Sequence, residues 1–205
     1  MTTPSTADQA PSRWYGARLG EALAWAAELH REQARKGTDE PYLSHILMVA
    51  ALVAHYGGNE DQIIAGALHD AVEDQGGEAV ALEIERRFGR RVADIVRECS
   101  DSSGVAGQPK APWRTRKEAF LASLAAPDPH GARLVEACDK LANLRDIVED
   151  VRAEGPETLE RFRGGREGTR WYYQQIGQLL MPQVPRVAAA YDPLLAQFDA
   201  LLESD

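Results

Sequence analysis

A chain of 205 residues, 44% apolar and 27% charged, has the balance of a folded globule and room for one generous domain or two small ones. Its net charge of −9 excludes the broad basic footprint of a general nucleic-acid binder, so an anionic ligand would have to be met by locally gathered cations. The two cysteines, Cys99 and Cys138, are too few for a disulfide framework or zinc knuckle and read as reduced core residues, and no apolar run approaches the ~20 residues that cross a membrane.

Met1 to Arg13 is rich in Thr, Ser, Pro and Gln and lacks an apolar stretch, which reads as a disordered tail, not a signal peptide, on a cytoplasmic protein. The domain is expected over 14–205. Leu19, Leu23, Ala26, Ala27 and Leu29 mark a first helix that ends in the basic stretch Arg35-Lys36-Gly37. A second helix runs from about Ser44 to His55 and stops at Gly57-Gly58. Asn59 caps a third, which carries Ile63, Ile64, Ala67 and Leu68 and closes before Gly76-Gly77. Further helices are expected at about Ala79–Phe88 and Val92–Cys99. Asp101 to Pro112, rich in Ser, Gly, Pro and Ala, is a loop. Helices resume at about Trp113–Ala125, Gly131–Ala153 and Pro156–Leu180, and Pro182 and Pro185 interrupt before a last helix at Pro193–Leu202. Strand signals, repeats and interdomain linkers are missing from the pattern. The expected fold is all-α, a single helical bundle.

The third helix holds the stretch that bears chemistry, His69-Asp70-Ala71-Val72-Glu73-Asp74. Helical spacing sets His69 beside Glu73 and Asp70 beside Asp74, just downstream of the apolar run Ile63 to Leu68. Carboxylates buried there without a partner would cost several kcal/mol each, a cost that a divalent cation removes. His45 opens the preceding helix. Asp139 lies on the long helix whose apolar stripe is Leu134, Ala137, Leu141, Leu144 and Val148, and it leads a polar stripe of Asp139, Asn143, Asp146 and Asp150. Three antiparallel helices could bring His45, His69, Asp70 and Asp139 together. Two imidazoles and two carboxylates suit Mn²⁺, Fe²⁺, Co²⁺ or Zn²⁺. His30, His55 and His130 fit no such pattern and are taken as surface or structural residues.

His45, His69-Asp70 and Asp139 resemble the signature of the HD superfamily of metal-dependent phosphohydrolases. Arg35-Lys36-Gly37 with Pro41-Tyr42-Leu43-Ser44-His45, then Ala67 to Asp74, Phe88-Gly89 with Val92 to Val96, and Asp139-Lys140-Leu141-Ala142-Asn143-Leu144-Arg145-Asp146 resemble successive motifs of RelA/SpoT-homologue hydrolase domains. The resemblance covers about 22–180 and is to the small, hydrolase-only type. It implies removal of the 3′-pyrophosphate of (p)ppGpp, usually with Mn²⁺, on a small-molecule nucleotide, with neither nucleic acid nor membrane as partner.

Carried over residue by residue, the resemblance makes His45, His69, Asp70 and Asp139 the metal ligands and Glu73 and Asp74 the acidic pair that orients and deprotonates water. Arg35, Lys36, Lys140 and Asn143 are implied as phosphate or base contacts. Arg116, after the loop, is a candidate for the distal phosphates, with Arg114 and Lys117 beside it, and Tyr172 is in register with an aromatic of the nucleotide pocket. Three departures bear on the nucleotide: Ile46 stands where Pro usually follows the first histidine, the loop lacks the usual acidic, lysine-rich composition, and Gly168 replaces a basic residue one turn before Tyr172, with Arg166 and Arg170 beside it. Hydrolysis of (p)ppApp, dephosphorylation of NADPH or another nucleotide, and a slow nucleotide-binding role remain open alternatives. The last helix is left to pack on the domain or on a second subunit, which would make a homo-oligomer.

Overall fold

Six successive buried residues, Ile63 to Leu68, make α3 (Glu60–Leu68) the axis around which the other helices assemble. The computed structural model describes residues 15–100 and 111–203, so the expected N-terminal tail and most of the Asp101–Pro112 loop lie outside the described residues. Helices α1 (Ala17–Leu29), α2 (Leu43–His55), α6 (Arg90–Cys99) and α8 (Ala132–Glu154) all pack on α3. Short α4 (Ala71–Gln75) and α5 (Glu78–Phe88) lead from α3 into α6. Helix α7 (Trp113–Ser123) packs on α9 (Gly165–Leu179), and α10 (Pro185–Glu203) lies across α8 and α9. Among the described residues no strand forms, and no helix is long and apolar enough to cross a membrane. The all-α expectation holds.

The capping of α3 follows the sequence: Asn59 accepts from the Gln62 amide at 3.1 Å while the Gln62 side chain accepts from the Asn59 amide at 3.0 Å. Gly66 lets α3 approach α2 closely, because a Cβ there would stand 3.2 Å from Val53 Cγ2 and 3.5 Å from Ala50 Cα. Between α1 and α2 an isolated bridge, Ala34 to Pro41, with Arg35 N–H donating to Glu40 O at 2.8 Å, pins the segment that carries Arg35 and Lys36.

Four element boundaries differ from expectation. The first helix ends at Leu29, short of the basic stretch Arg35-Lys36-Gly37, because that stretch is taken into the turn closed by the Ala34–Pro41 bridge. The third helix does not run through to Gln75: it opens at His69 and Asp70, where Asp70 adopts φ −93°, ψ −5° before α4 begins. The His69 ring Nδ1 donates to the Gly66 carbonyl at 2.9 Å, the acceptor that the helical ladder offers to the Asp70 amide. Pro156–Leu180 is a 3₁₀ turn, Pro156–Arg161, and then α9, because the Gly164-Gly165 pair, with Gly165 at φ +57°, reverses the chain. The last helix begins at Pro185, not Pro193; a proline at a helix start gives up no needed N–H, and buried Val187, Tyr191, Phe198 and Leu202 carry the helix through Pro193. That helix packs on its own domain, with Tyr191 Oη donating to Tyr173 O at 2.7 Å.

Gly66→Val should overpack the α2–α3 contact and cost about 1–3 kcal/mol, read from urea denaturation. An unchanged midpoint would mean that α3 does not depend on this approach.

Candidate metal centre and adjoining cavity

Three helical segments deliver four side chains to one point. His45 comes from the first turn of α2, His69 and Asp70 from the opening after α3, and Asp139 from the middle of α8. The Nε2 atoms of His45 and His69 face each other at 3.3 Å. Asp70 Oδ2 stands 2.9 Å from His69 Nε2 and 3.8 Å from His45 Nε2; Asp139 Oδ1 stands 3.2 Å from His45 Nε2 and 3.6 Å from His69 Nε2. His45, His69 and Asp139 are 1%, 3% and 7% exposed, so water does little to screen these charges.

The hydrogen bonds around the cluster prepare it for a cation. A carbonyl only accepts, so His69 Nδ1 carries the proton toward Gly66 O, and the Nε2 of the neutral ring presents a lone pair to two carboxylates. Burial opposes a charge on His69, but Asp70 and Asp139 outweigh it and hold the ring well above its ordinary value. A proton satisfies that field, and so does a divalent ion bound by Nε2. Burial likewise opposes ionisation of both carboxyls. His69 overrides it for Asp70, and Lys140 with the two imidazoles overrides it for Asp139, holding both below the carboxylate range. Lys140 Nζ and Asn143 Nδ2 each donate to Asp139 at 2.5 Å, and Tyr42 Oη donates to Asp70 Oδ2. Among the described residues, His45, His69 and Asp70 satisfy the spacing of a metal-binding group, and Asp139 completes the ring around them. The donor set fits a borderline divalent metal.

A cavity of about 160 Å³ opens onto the cluster, lined by Asp70, Glu73, Asp139, Cys99 and Phe120. It shares Tyr42, Lys117, Lys140, Asn143 and Tyr172 with a second cavity of about 360 Å³. The larger one gathers Arg35, Lys36 and Arg161 with the aromatic rings of Trp113, Phe162 and Tyr173. Cations are therefore concentrated here despite the acidic chain. They are also held: Arg35 donates to Asn143 Oδ1 at 3.2 Å and pairs with Asp146, and Arg161 pairs with Asp150. The polar stripe expected on α8, Asp139 to Asp150, is the floor of both cavities.

Other expected site residues are placed differently. Glu73 enters the smaller cavity, whereas exposed Asp74 turns away to accept from Gln33 Nε2 at 2.8 Å. Arg116 lines neither cavity; its guanidinium stands 3.8 Å from Glu73, with its side chain 12% exposed. Arg166 and Arg170 do not stand in for the basic residue absent at Gly168, because they reach α10 at Leu202 O, Asp199 and Glu203. Lys117, named beside Arg116 in the sequence, lines both cavities, whereas Tyr42, Arg161 and Phe162 were not singled out as site residues. Tyr42 had a signal, since it precedes His45 by one helical turn. His30 and His130 are engaged in polar contacts with Gln33 and Glu98, and His55 is exposed.

Residues 22–162 match the HD domain family. This chain belongs to the HD domain family. It is 38% identical over 134 residues to the guanosine-3′,5′-bis(diphosphate) 3′-pyrophosphohydrolase MESH1 of Mus musculus and, equally, to that of Homo sapiens, covering 64% of this chain and 70% of each relative. It is 34% identical over 148 residues to the guanosine-3′,5′-bis(diphosphate) 3′-pyrophosphohydrolase of Aquifex aeolicus, 20% of that longer protein. Among solved structures, a metazoan ortholog of SpoT that hydrolyzes ppGpp superposes with a TM-score of 0.71 at 26% identity, over 90% of this chain and 97% of that one.

One buried group beside the cluster gives a pH signature. Glu136, 2% exposed, lies one turn before Lys140 and meets Arg133 at 3.3 Å. Burial pushes its carboxyl from 4.5 up to about 7, against the pull of Lys140 and Arg133. A carboxyl that binds its proton more tightly when folded loses stability as pH climbs from about 4.5 to about 7, with a plateau above. Glu136→Gln should remove that loss, making the variant more stable than wild type at pH 8 by about 2–3 kcal/mol and near parity at pH 5 in urea titrations. Parallel pH profiles for the two proteins would refute the buried-acid assignment.

Proposed function

We propose that this chain is a Mn²⁺-dependent phosphohydrolase that removes the 3′-pyrophosphate of (p)ppGpp-type nucleotides, with His45, His69, Asp70 and Asp139 as metal ligands. The observation that carries it is the 3.3 Å approach of two imidazole Nε2 atoms between two carboxylates, beside a small cavity that joins a larger, cation-lined one. The names and activities of the relatives support the substrate class.

A bound divalent ion would supply Lewis-acid charge to a phosphoryl oxygen and make a nearby water more acidic. Glu73, which lines the smaller cavity, takes the proton of the attacking water, with Arg116 3.8 Å away to aim the carboxylate. Asp74, one residue on, is the second member of the acidic pair and is anchored through Gln33. Water adds to the phosphorus esterified at the 3′ oxygen, that P–O bond breaks, and the proton passes to the 3′ oxygen, giving a 3′-hydroxyl and free pyrophosphate. Lys140 and Lys117, at the junction of the cavities, meet the transferred phosphates, while Arg35, Lys36 and Asn143 meet the nucleotide in the larger one. Tyr172, in both cavities, forms the wall between phosphate and base. The domain that does this work runs from residue 14 to the C-terminal helix.

Purified protein with Mn²⁺, offered ppGpp, ppApp and NADPH, should release pyrophosphate from ppGpp; orthophosphate from NADPH alone would overturn the reading. Asp70→Ala should lose both bound metal, by elemental analysis, and turnover. Glu73→Gln should retain the metal and lose about 10²–10⁴-fold in rate. Full turnover by Asp70→Ala after chelation would dismiss the metal assignment, and an unchanged rate for Glu73→Gln would dismiss the base.

A further inference from the structure

Two glycines on α9 are explained by an indole and not by their own backbone. Gly164, which caps α9, has φ −82° and ψ −15°, an ordinary helical conformation open to any residue. Gly168, one turn later, also lacks a positive φ. Yet a Cβ at Gly164 would come 2.7 Å from Trp113 Cη2, and one at Gly168 would come 3.1 Å from Trp113 Cζ3. Trp113, the first residue of α7, fills the notch that the absent side chains leave.

Its ring is held edge-on to its neighbours, 6.2 Å and 70° from Tyr172 and 6.3 Å and 71° from Trp171. Trp113, Thr169, Tyr172 and Tyr173 form the α7–α9 wall of the larger cavity. The arginines of this wall point elsewhere. Arg114 stacks over Trp171 at 3.2 Å and donates to Glu118 at 2.7 Å, and Arg166 and Arg170 are taken by α10. Among the described residues, the cation this wall gives the cavity is Lys117, which lies over Tyr172 and reaches the metal side. Arg35, Lys36 and Arg161 face the cavity from the α1–α2 connection and the 3₁₀ turn. One wall is thus cationic and suited to phosphate and ribose, the other aromatic and suited to a flat heterocycle.

We propose that Trp113, seated in the Gly164–Gly168 notch, is the residue that selects the nucleoside half of the substrate, offering its indole as the stacking surface for the base. This rests on the nucleotide phosphohydrolase reading above and adds to it which residue recognises the base. Loss of one base–aromatic stack weakens binding by about tenfold or more.

The test is equilibrium binding of two probes, GDP and inorganic pyrophosphate, to the full chain with Mn²⁺ present. Trp113→Ala should weaken GDP binding by about tenfold or more and leave pyrophosphate within about twofold, while Trp113→Phe restores most of the GDP affinity. Gly164→Ala is the sharper variant: its backbone accepts alanine, so a matching loss for GDP reports displacement of the indole and not a failure to fold. GDP affinity indifferent to Trp113→Ala, or GDP and pyrophosphate weakened in parallel, overturns the Trp113 assignment and leaves the phosphohydrolase reading standing. A wild-type chain that binds no GDP overturns the nucleotide reading, and the assignment with it.

Discussion

The fold is organised around a concentration of negative charge that it cannot leave uncompensated. Asp70 and Asp139 approach the same two imidazoles, in a place where His45, His69 and Asp139 have lost nearly all their solvent. Two ring nitrogens at 3.3 Å cannot both carry a proton without repelling strongly at short range. The cluster is therefore stable when one positive group sits among its atoms, a proton on His69 or a metal ion. A divalent ion would serve better, because His45, His69, Asp70 and Asp139 could hold it with nitrogen lone pairs and carboxylate charge together. Helix packing answers to this point. Gly66 brings α3 onto α2 and so His69 toward His45, and α8 runs past both to deliver Asp139.

Around that centre the charges are arranged in pairs that leave few groups unbalanced. Asp139 is met by Lys140 and Asn143, Asp70 by Tyr42, Arg35 by Asp146 and Arg161 by Asp150. Pairing fixes each cation in position before any ligand arrives, which reduces the side-chain ordering that binding would otherwise require. It also reconciles a net charge of −9 with an anionic substrate: the acid is spread over the molecule, while lysines and arginines converge on two joined cavities.

The four residues that converge on the cluster stood out in the sequence because each is tied to local periodicity. His69-Asp70 follows an unbroken apolar run, His45 opens a helix, and the stripe Asp139, Asn143, Asp146 and Asp150 keeps helical spacing over three turns of α8. Helix positions were legible for the same reason, down to the Asn59–Gln62 cap. What the sequence concealed depends on partners far along the chain. Arg116 was expected at the phosphates because it is a cation after a loop, but only the packing of α7 reveals Glu73 beside it. Asp74 shares a turn with Glu73 yet faces Gln33, because the chain opens at Asp70 and residues beyond it no longer continue the face of α3. The start of α10 was misplaced at Pro193 because proline is a poor helix former in isolation, whereas burial of Tyr191 and Phe198 on either side outweighs one missing backbone bond.

Gly168 shows how a departure in sequence becomes a positive feature in space. Read along the chain, it is the loss of a basic residue one turn before Tyr172. In the folded molecule the space is occupied by Trp113, and Arg166 and Arg170, which flank the gap in sequence, are committed to α10. A cation cannot be restored at 168 without evicting the indole, so the two arrangements exclude each other. The metal cluster lies beyond Lys140 and Tyr172, at the other end of the joined cavities, and none of its contacts passes through α9. The four side chains of the cluster therefore sit on other elements than Trp113, and the indole can change while their mutual contacts stay as they are.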